Sequence, residues 1–323
     1  VSAVTAIVIG RNEGARLVAC LQSLTQQNVP IVYVDSGSRD GSVDAATSAG
    51  ALVVELDTQR PFTAARARQA GVDALREKGD LPEFLQFVDG DCAVVPGWID
   101  AAVAALSGDT RLGLATGWRS EIHPERSVYN ALCDFEWHGP AGEIDVCGGD
   151  MMVRSAAFED IGGFDTVMIA CEDFDFCLRM GKAGWGLRRL PQDMTRHDAD
   201  MTRFSQWWQR AVRAGHGYGE AAARHPGRFR RELLRAWVYG AVLPVLGLVG
   251  LVANCWLLAV VLAAYLLNFI RTSKGLQNAG LSAQAARAHG ALITLSKLPN
   301  LLGLLKYYRR RMTGQDMRII EYK

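Results

Sequence analysis

Two carboxylates one residue apart, Asp89 and Asp91, close an apolar run in "EFLQFVDGDCAVVPGWID" (83–100). Like charges this close repel, and each is costly to remove from water. Such a pair is stable at a solvated strand end. It is also stable beside a divalent cation held by oxygen ligands, with a bound phosphate completing the shell. A second acid pair, Glu172 and Asp173, opens "EDFDFCLRM" (172–180). Acids in the first turn of a helix stabilise it by a few tenths to about 1 kcal/mol. A positioned carboxylate can instead take the proton of a hydroxyl, which is a poor nucleophile while it keeps that proton. Asp35 begins "DSGSRDGS" (35–42), either an ordinary turn with a helix start or a ligand-facing loop. His197, in "MTRHDADMTRF", is either a packed core histidine or a metal ligand.

The elements that must position these residues alternate. Residues 3–9, 31–35, 51–56 and 84–89 read as buried strands, with helices near 42–49 and 63–78 between them. This order predicts an α/β domain with a parallel sheet and crossover helices. Ligands of such sheets gather beyond the carboxyl ends of the strands. "GRNEG", "DSGSRDGS" and "DGD" all fall on that one edge. Residues 112–118, 144–153 and 186–191 read as further strands, and 172 onward as an amphipathic helix.

The chain has 323 residues, with 35 Lys and Arg against 34 Asp and Glu. That balance gives no electrostatic footprint for nucleic acid. Seven cysteines are scattered without a CxxC pair, which argues against a disulfide framework or structural zinc and fits a reducing compartment. The apolar run Val4 to Ile9 is short and has no basic residues before it, so it does not read as a signal peptide.

From Trp237 to Ile270 there are 34 residues without a charged side chain. As one helix they would reach about 50 Å, against a hydrocarbon core of about 30 Å. Arg228, Arg230, Arg231 and Arg235 precede the stretch, and Arg271 and Lys274 follow it. Basic flanks on both sides place both ends in the cytoplasm, which predicts a membrane hairpin over 237–270 with its tip near Asn254. Residues 290–311 read as an interfacial helix. The expected division is a catalytic domain at 1–228 and a membrane-associated helical region at 229–323. A buried helical subdomain or an oligomer interface is the alternative for this region.

Six stretches, in order, resemble the family 2 glycosyltransferases, which have a GT-A (Rossmann-like) fold. They are "VTAIVIGRNEGARLVACLQSL", "VYVDSGSRDGS", "AARARQAGVDAL", "FVDGDCAVVPGWI", "VCGGDMMVRSAAFEDIGGFD" and "EDFDFCLRM", within residues 3 to 220. The resemblance implies a nucleotide-sugar donor, with UDP as the expected nucleotide. It places Asp35 against the base, Glu13 near the nucleoside and Arg68 near the base or diphosphate. Asp89 would face the ribose and metal, and Asp91 would ligate manganese or magnesium directly, with His197 reaching the same ion. Asp173 would be the general base, supported by Glu172, and Asp150 would meet an acceptor hydroxyl. Arg210 and Arg213, in "FSQWWQRAVRAGHGYGE", would either contact diphosphate or lipid phosphate or lie on a helix that simply packs. Ser36, Gln69 and Gly10 depart from the residues common in the family, where Asp, Asn and Pro are usual.

The expected function is inverting transfer of a sugar to a hydroxyl of a lipid-linked or growing glycan, at the cytoplasmic face of the inner membrane. Two alternatives are a synthase that moves sugar to polyprenyl phosphate and a non-catalytic, membrane-bound nucleotide-sugar-binding partner subunit. The expected partners are donor, acceptor and membrane lipid, not nucleic acid, with oligomerisation left open.

Overall fold

The computed structural model describes residues 3–79, 81–253, 255–315 and 320. Its first half runs β1 (Val4–Gly10), α1 (Ala15–Thr25), β2 (Ile31–Asp35), α2 (Ser42–Ser48), β3 (Leu52–Glu55), α3 (Ala64–Lys78), β4 (Phe84–Asp89), β5 (Cys92–Val94) and α4 (Trp98–Gly108). It continues with β6 (Leu112–Glu121), α5 (Val128–Trp137), β7 (Gly142–Glu143), β8 (Met151–Arg154), α6 (Ser155–Asp160), α7 (Glu172–Lys182) and β9 (Gly186–His197). Six helices follow: α8 (Phe204–Arg224), α9 (Arg230–Trp237), α10 (Leu243–Ala253), α11 (Cys255–Asn278), α12 (Ala283–Leu295) and α13 (Lys297–Thr313).

Two compact units divide the chain. One holds residues 1–125 and 133–200, the other 126–132 and 201–316. In the first, one mixed sheet has the order β3-β2-β1-β4-β8-β6-β9-β5, with β7 on β9. β1 pairs in parallel with β2 and β4, so Gly10, Asp35 and Asp89 end neighbouring strands on one edge. β1 is apolar except for Thr5 because both faces of the sheet are covered. Val4, Ala6 and Val8 pack with Leu17, Leu21 and Leu24 of α1. Ile7 and Ile9 face Ala65 and Val72 of α3. The alternation follows from the two-residue period of a strand.

The stretch 144–153, expected as one strand, is strand only at Met151–Arg154; residues before it loop past the sheet edge. The last strand is longer than expected. It passes through Pro191 because the β6–β9 register skips from Thr116↔Arg189 to Trp118↔Asp193. A proline without an N–H fits in such a bulge. The extension carries His197 to the functional edge.

The second unit is helical. α8 belongs to it. α13 lies against α8 with backbone nearly touching backbone: a Cβ on Gly303 would fall 1.9 Å from Val212 O, and one on Gly215 2.0 Å from Asn300 O. α9 and α10 join through a π-helical turn at Val238–Val242 into one helix, Arg230–Ala253. That helix and Cys255–Asn278 are each long and apolar enough to cross a membrane, and little of their apolar length is buried. The expected hairpin tip, Asn254, lies outside the described residues. The expected single helix over 290–311 is two helices. Ser296 ends α12, and Pro299 sits in the first turn of α13, where its missing N–H costs nothing.

Candidate active site

The site stands at the strand ends of the first unit. Beyond β1 and β2, two loops are laced together. Asn12 N donates to Ser38 Oγ (2.9 Å), Arg39 N to Asn12 Oδ1 (2.8 Å) and Gly14 N to Asp40 Oδ2 (2.9 Å). Asp35 is the buried anchor of this turn. Its Oδ2 accepts the N–H groups of Gly37 and Ser38, each at 2.8 Å, and its Oδ1 accepts Tyr33 OH at 3.0 Å. A cavity of about 540 Å³ opens above it, lined by Arg11, Ser36, Ser38, Arg39, Asp57 and Phe62 among others. The Arg11 guanidinium stacks over Phe62 at 4.4 Å. Asp35 thus supports this cavity from beneath and is not among its lining residues. Glu13 pairs with Arg16 at 2.8 Å and packs beside Gly90.

The charges of the acid pair at the end of β4 are balanced separately. Arg68 reaches Asp89 Oδ1 at 2.7 Å, and Arg119 reaches Asp89 Oδ2 at 3.1 Å. Burial raises the Asp89 pKa, but the two guanidiniums outweigh it and hold the carboxyl well below the usual range. Asp89 therefore has two guanidiniums of the protein beside it. Gly90 lets the turn close: its N–H donates to Ile9 O at 2.7 Å, and a Cβ there would fall 3.0 Å from the same oxygen. Asp91, past the turn, has its Oδ2 3.2 Å from His197 Nε2.

Arg68 also pairs with Glu172 Oε1 at 2.8 Å, so one buried guanidinium joins the end of β4 to the start of α7. It fills the place a side chain at position 149 would need, since a Cβ on Gly149 would lie 2.1 Å from Arg68 Nη2. Asp173 Oδ1 accepts the Phe174 N–H at 2.8 Å. Burial first, then the Glu172 and Asp89 charges, push its pKa up to about 7 against the pull of Arg68. A carboxyl poised there exchanges protons near neutral pH.

Asp150, expected at an acceptor hydroxyl, lies among these same charges. It is 1% exposed, and both oxygens are engaged. Oδ1 accepts the Asp89 N–H at 3.0 Å, while Oδ2 meets Arg119 at 2.8 Å and Thr195 Oγ1 at 2.7 Å. Arg119 itself was not singled out from the sequence, nor was Glu121, which lies behind His197. The available signal was two charged residues, two apart, closing "LGLATGWRSE", a pattern a buried strand does not need. Arg210 and Arg213 lie half-buried on α8, in the helical unit.

Asp91 and His197 fit a divalent cation. A carboxylate and an imidazole, both nearly buried, converge past the end of β4, and the Cys92 thiol lies within the same cluster. The charge count agrees. Arg68 and Arg119 meet three carboxylates, Asp89, Asp150 and Glu172, while Asp91 and Glu121 flank His197, which leaves a surplus of negative charge where a cation is stabilised.

Residues 5–161 match the model of Glycosyl transferase family 2, and residues 139–279 match that of Glycosyl transferase family group 2. The pre-mycofactocin glycosyltransferase of Mycobacterium tuberculosis is 28% identical over 234 residues, 69% of this chain and 48% of that protein. The chain thus spans about half the length of that relative. The N-acetylglucosaminyl-diphospho-decaprenol L-rhamnosyltransferase of the same species is 26% identical over 253 residues, 68% of this chain and 82% of the relative. Among solved structures, the mannosyltransferase PcManGT from Pyrobaculum calidifontis, in complex with GDP-Man and Mn2+, superposes with a TM-score of 0.57. It is 19% identical and covers 95% of this chain and 87% of its own; the likeness shows a shared fold. With the GT-A sheet and two family models that together run from residue 5 to 279, the chain belongs to the family 2 glycosyltransferases.

Proposed function

We propose that this protein is an inverting, metal-assisted glycosyltransferase that moves a sugar from a nucleotide-sugar, expected to be UDP-linked, to a hydroxyl of a lipid-linked or growing glycan. One observation carries the reading. A carboxyl with a pKa near 7, Asp173, is tied through Glu172, Arg68 and Asp89 to the strand edge that bears the Asp91–His197 pair. Proton acceptor and donor edge are thus held in one rigid charge network. Asp173 takes the acceptor proton as the acceptor oxygen forms its bond to the anomeric carbon and the nucleoside diphosphate leaves from the opposite face. The base lies in the cavity over Asp35, with Glu13 near the nucleoside. Asp91 and His197 hold the manganese or magnesium ion. That ion, when bound, stabilises negative charge on the departing diphosphate.

Two relatives' names support the substrate classes. One solved structure holds GDP-Man and Mn2+, and one relative is named for N-acetylglucosaminyl-diphospho-decaprenol. Transfer to polyprenyl phosphate is disfavoured, because an acceptor that is already anionic needs no base. We assign catalysis to residues 1–228 and membrane association to 229–323. The two apolar helices form a hairpin, and Arg228, Arg230, Arg231, Arg235, Arg271 and Lys274 lie on the cytoplasmic side. Arg210 and Arg213 are the candidates for diphosphate or lipid phosphate.

A donor screen tests this. Purified full-length chain with manganese is offered UDP-, GDP- and dTDP-sugars, with and without polyprenyl-diphosphate-linked acceptors, and nucleotide release is scored. The expected result is manganese-dependent release with one nucleotide class, raised by acceptor. Donor binding without release under any acceptor would favour the non-catalytic partner subunit.

A further inference from the structure

Glu121 is the last residue of β6 and stands directly opposite His197 in the parallel β6–β9 register. Its side chain is 0% exposed. Its Oε1 accepts the His123 N–H at 3.2 Å, and its Oε2 accepts the Ala199 N–H at 2.9 Å. Both oxygens are therefore held by backbone. Oε2 also faces His197 Nδ1 at 3.7 Å, too long for a formed hydrogen bond but close for an electrostatic one. The imidazole thus lies between two carboxylates, Glu121 behind Nδ1 and Asp91 at 3.2 Å from Nε2. The Trp137 ring meets it edge-on at 4.6 Å and limits its rotation.

A neutral imidazole has one N–H, and a carboxylate only accepts. With a cation held between Nε2 and Asp91, the one hydrogen must sit on Nδ1, where the fixed, buried Glu121 carboxylate lies 3.7 Å away to receive it. We propose that Glu121 is a positioning residue for cation binding: it orients His197 and sets its tautomer so that Nε2 and Asp91 present a joined ligand pair. The proposal rests on the reading that Asp91 and His197 hold the divalent cation. Turn anchoring alone explains the contacts with His123 and Ala199. It does not account for a carboxylate, buried and at close range, aligned with the one ring nitrogen that the Asp91 side leaves over.

The test is manganese titration of the full chain in detergent, read by the electron paramagnetic resonance of free Mn2+ with inorganic diphosphate present throughout. Glu121→Ala is expected to weaken manganese binding about 10- to 100-fold. Glu121→Gln loses less, because its side-chain oxygen still accepts. The double variant Glu121→Ala/His197→Ala binds no more weakly than His197→Ala, since Glu121 acts through that ring. Losses that multiply in the double variant would overturn the proposal, as would unchanged affinity in Glu121→Ala while Asp91→Ala and His197→Ala both bind weakly. Unchanged affinity in Asp91→Ala would instead remove the cation site itself. A measurement on the unsubstituted protein guards against misfolding of the alanine variant. With 15N-histidine and Mg2+, the His197 resonance, identified by its loss in His197→Ala, is expected to report hydrogen on Nδ1; hydrogen on Nε2 overturns the proposal.

Discussion

Asp173→Asn is expected to lower sugar transfer by about 10²- to 10⁴-fold, the usual contribution of a positioned base. Asparagine keeps the shape and still accepts the Phe174 N–H, so α7 keeps its start. Donor and manganese affinity are expected to stay within a few-fold, because the donor-edge charges reside on Asp89, Asp91 and Arg68. In the unsubstituted enzyme, transfer should rise about tenfold per pH unit below about 7 and level off above it, as the Asp173 carboxyl ionises. Stability moves the other way. The folded pKa, about 7, lies above the unfolded value near 3.9, so the folded state binds the extra proton between those limits. Stability therefore falls as pH rises through that window. Asp173→Asn removes this penalty, about 1–4 kcal/mol at pH 8, and the gain disappears near pH 4. Thermal melts at the two pH values read it. A variant that loses transfer and melts lower at pH 8 would mark Asp173 as structural; one that keeps full transfer would end its assignment as the base.

Asp91→Ala is expected to abolish manganese-dependent donor binding, at least 100-fold, while the fold survives. The side chain sits past the turn, and His197 remains packed against Trp137. Asp89→Ala makes the contrast. It takes one carboxylate from Arg68 and Arg119, which keep Glu172 and Asp150 as partners, and the loss costs up to about 3 kcal/mol at a position that keeps 28% exposure. Calorimetric donor titrations with and without manganese, beside melts of both variants, separate the two acids. Asp91→Ala should lose metal dependence with a normal melt, whereas Asp89→Ala should melt early. Retained metal dependence in Asp91→Ala would take it out of the site.

These two acids also show where the sequence could be read and where it could not. Strand ends were legible because β1, β2 and β4 are continuous apolar runs, and a parallel order forces their carboxyl ends to one side. That placed Asp35, Asp89 and Asp91 together without any knowledge of contacts. The partners were not legible. Arg119 lies 30 positions from Asp89, and the antiparallel insertion of β8 between β4 and β6 brings the two together. Asp150 reads as a loop acid, but it is buried and accepts the backbone N–H of Asp89. His197 was within reach as a motif, yet its position depends on a bulge around Pro191, where a proline argues for a strand end. In the helical unit, the uncharged run revealed two long apolar helices. The glycines of α8 and α13 gave no periodic signal, because their role is to carry nothing between two backbones.

Under the proposed roles, Arg68 makes donor binding and proton uptake by Asp173 one linked equilibrium. It shares a single charge between Asp89, on the proposed donor side, and Glu172, next to Asp173, on the other. Whatever draws Asp89 toward a bound donor changes how much of that charge Asp173 feels. Reciprocity then requires the protonation of Asp173 to change donor affinity by the same factor. Donor affinity is accordingly expected to differ, within a few-fold, on either side of pH 7, and that difference is the free energy by which the donor edge would register, before any acceptor arrives, whether Asp173 carries its proton.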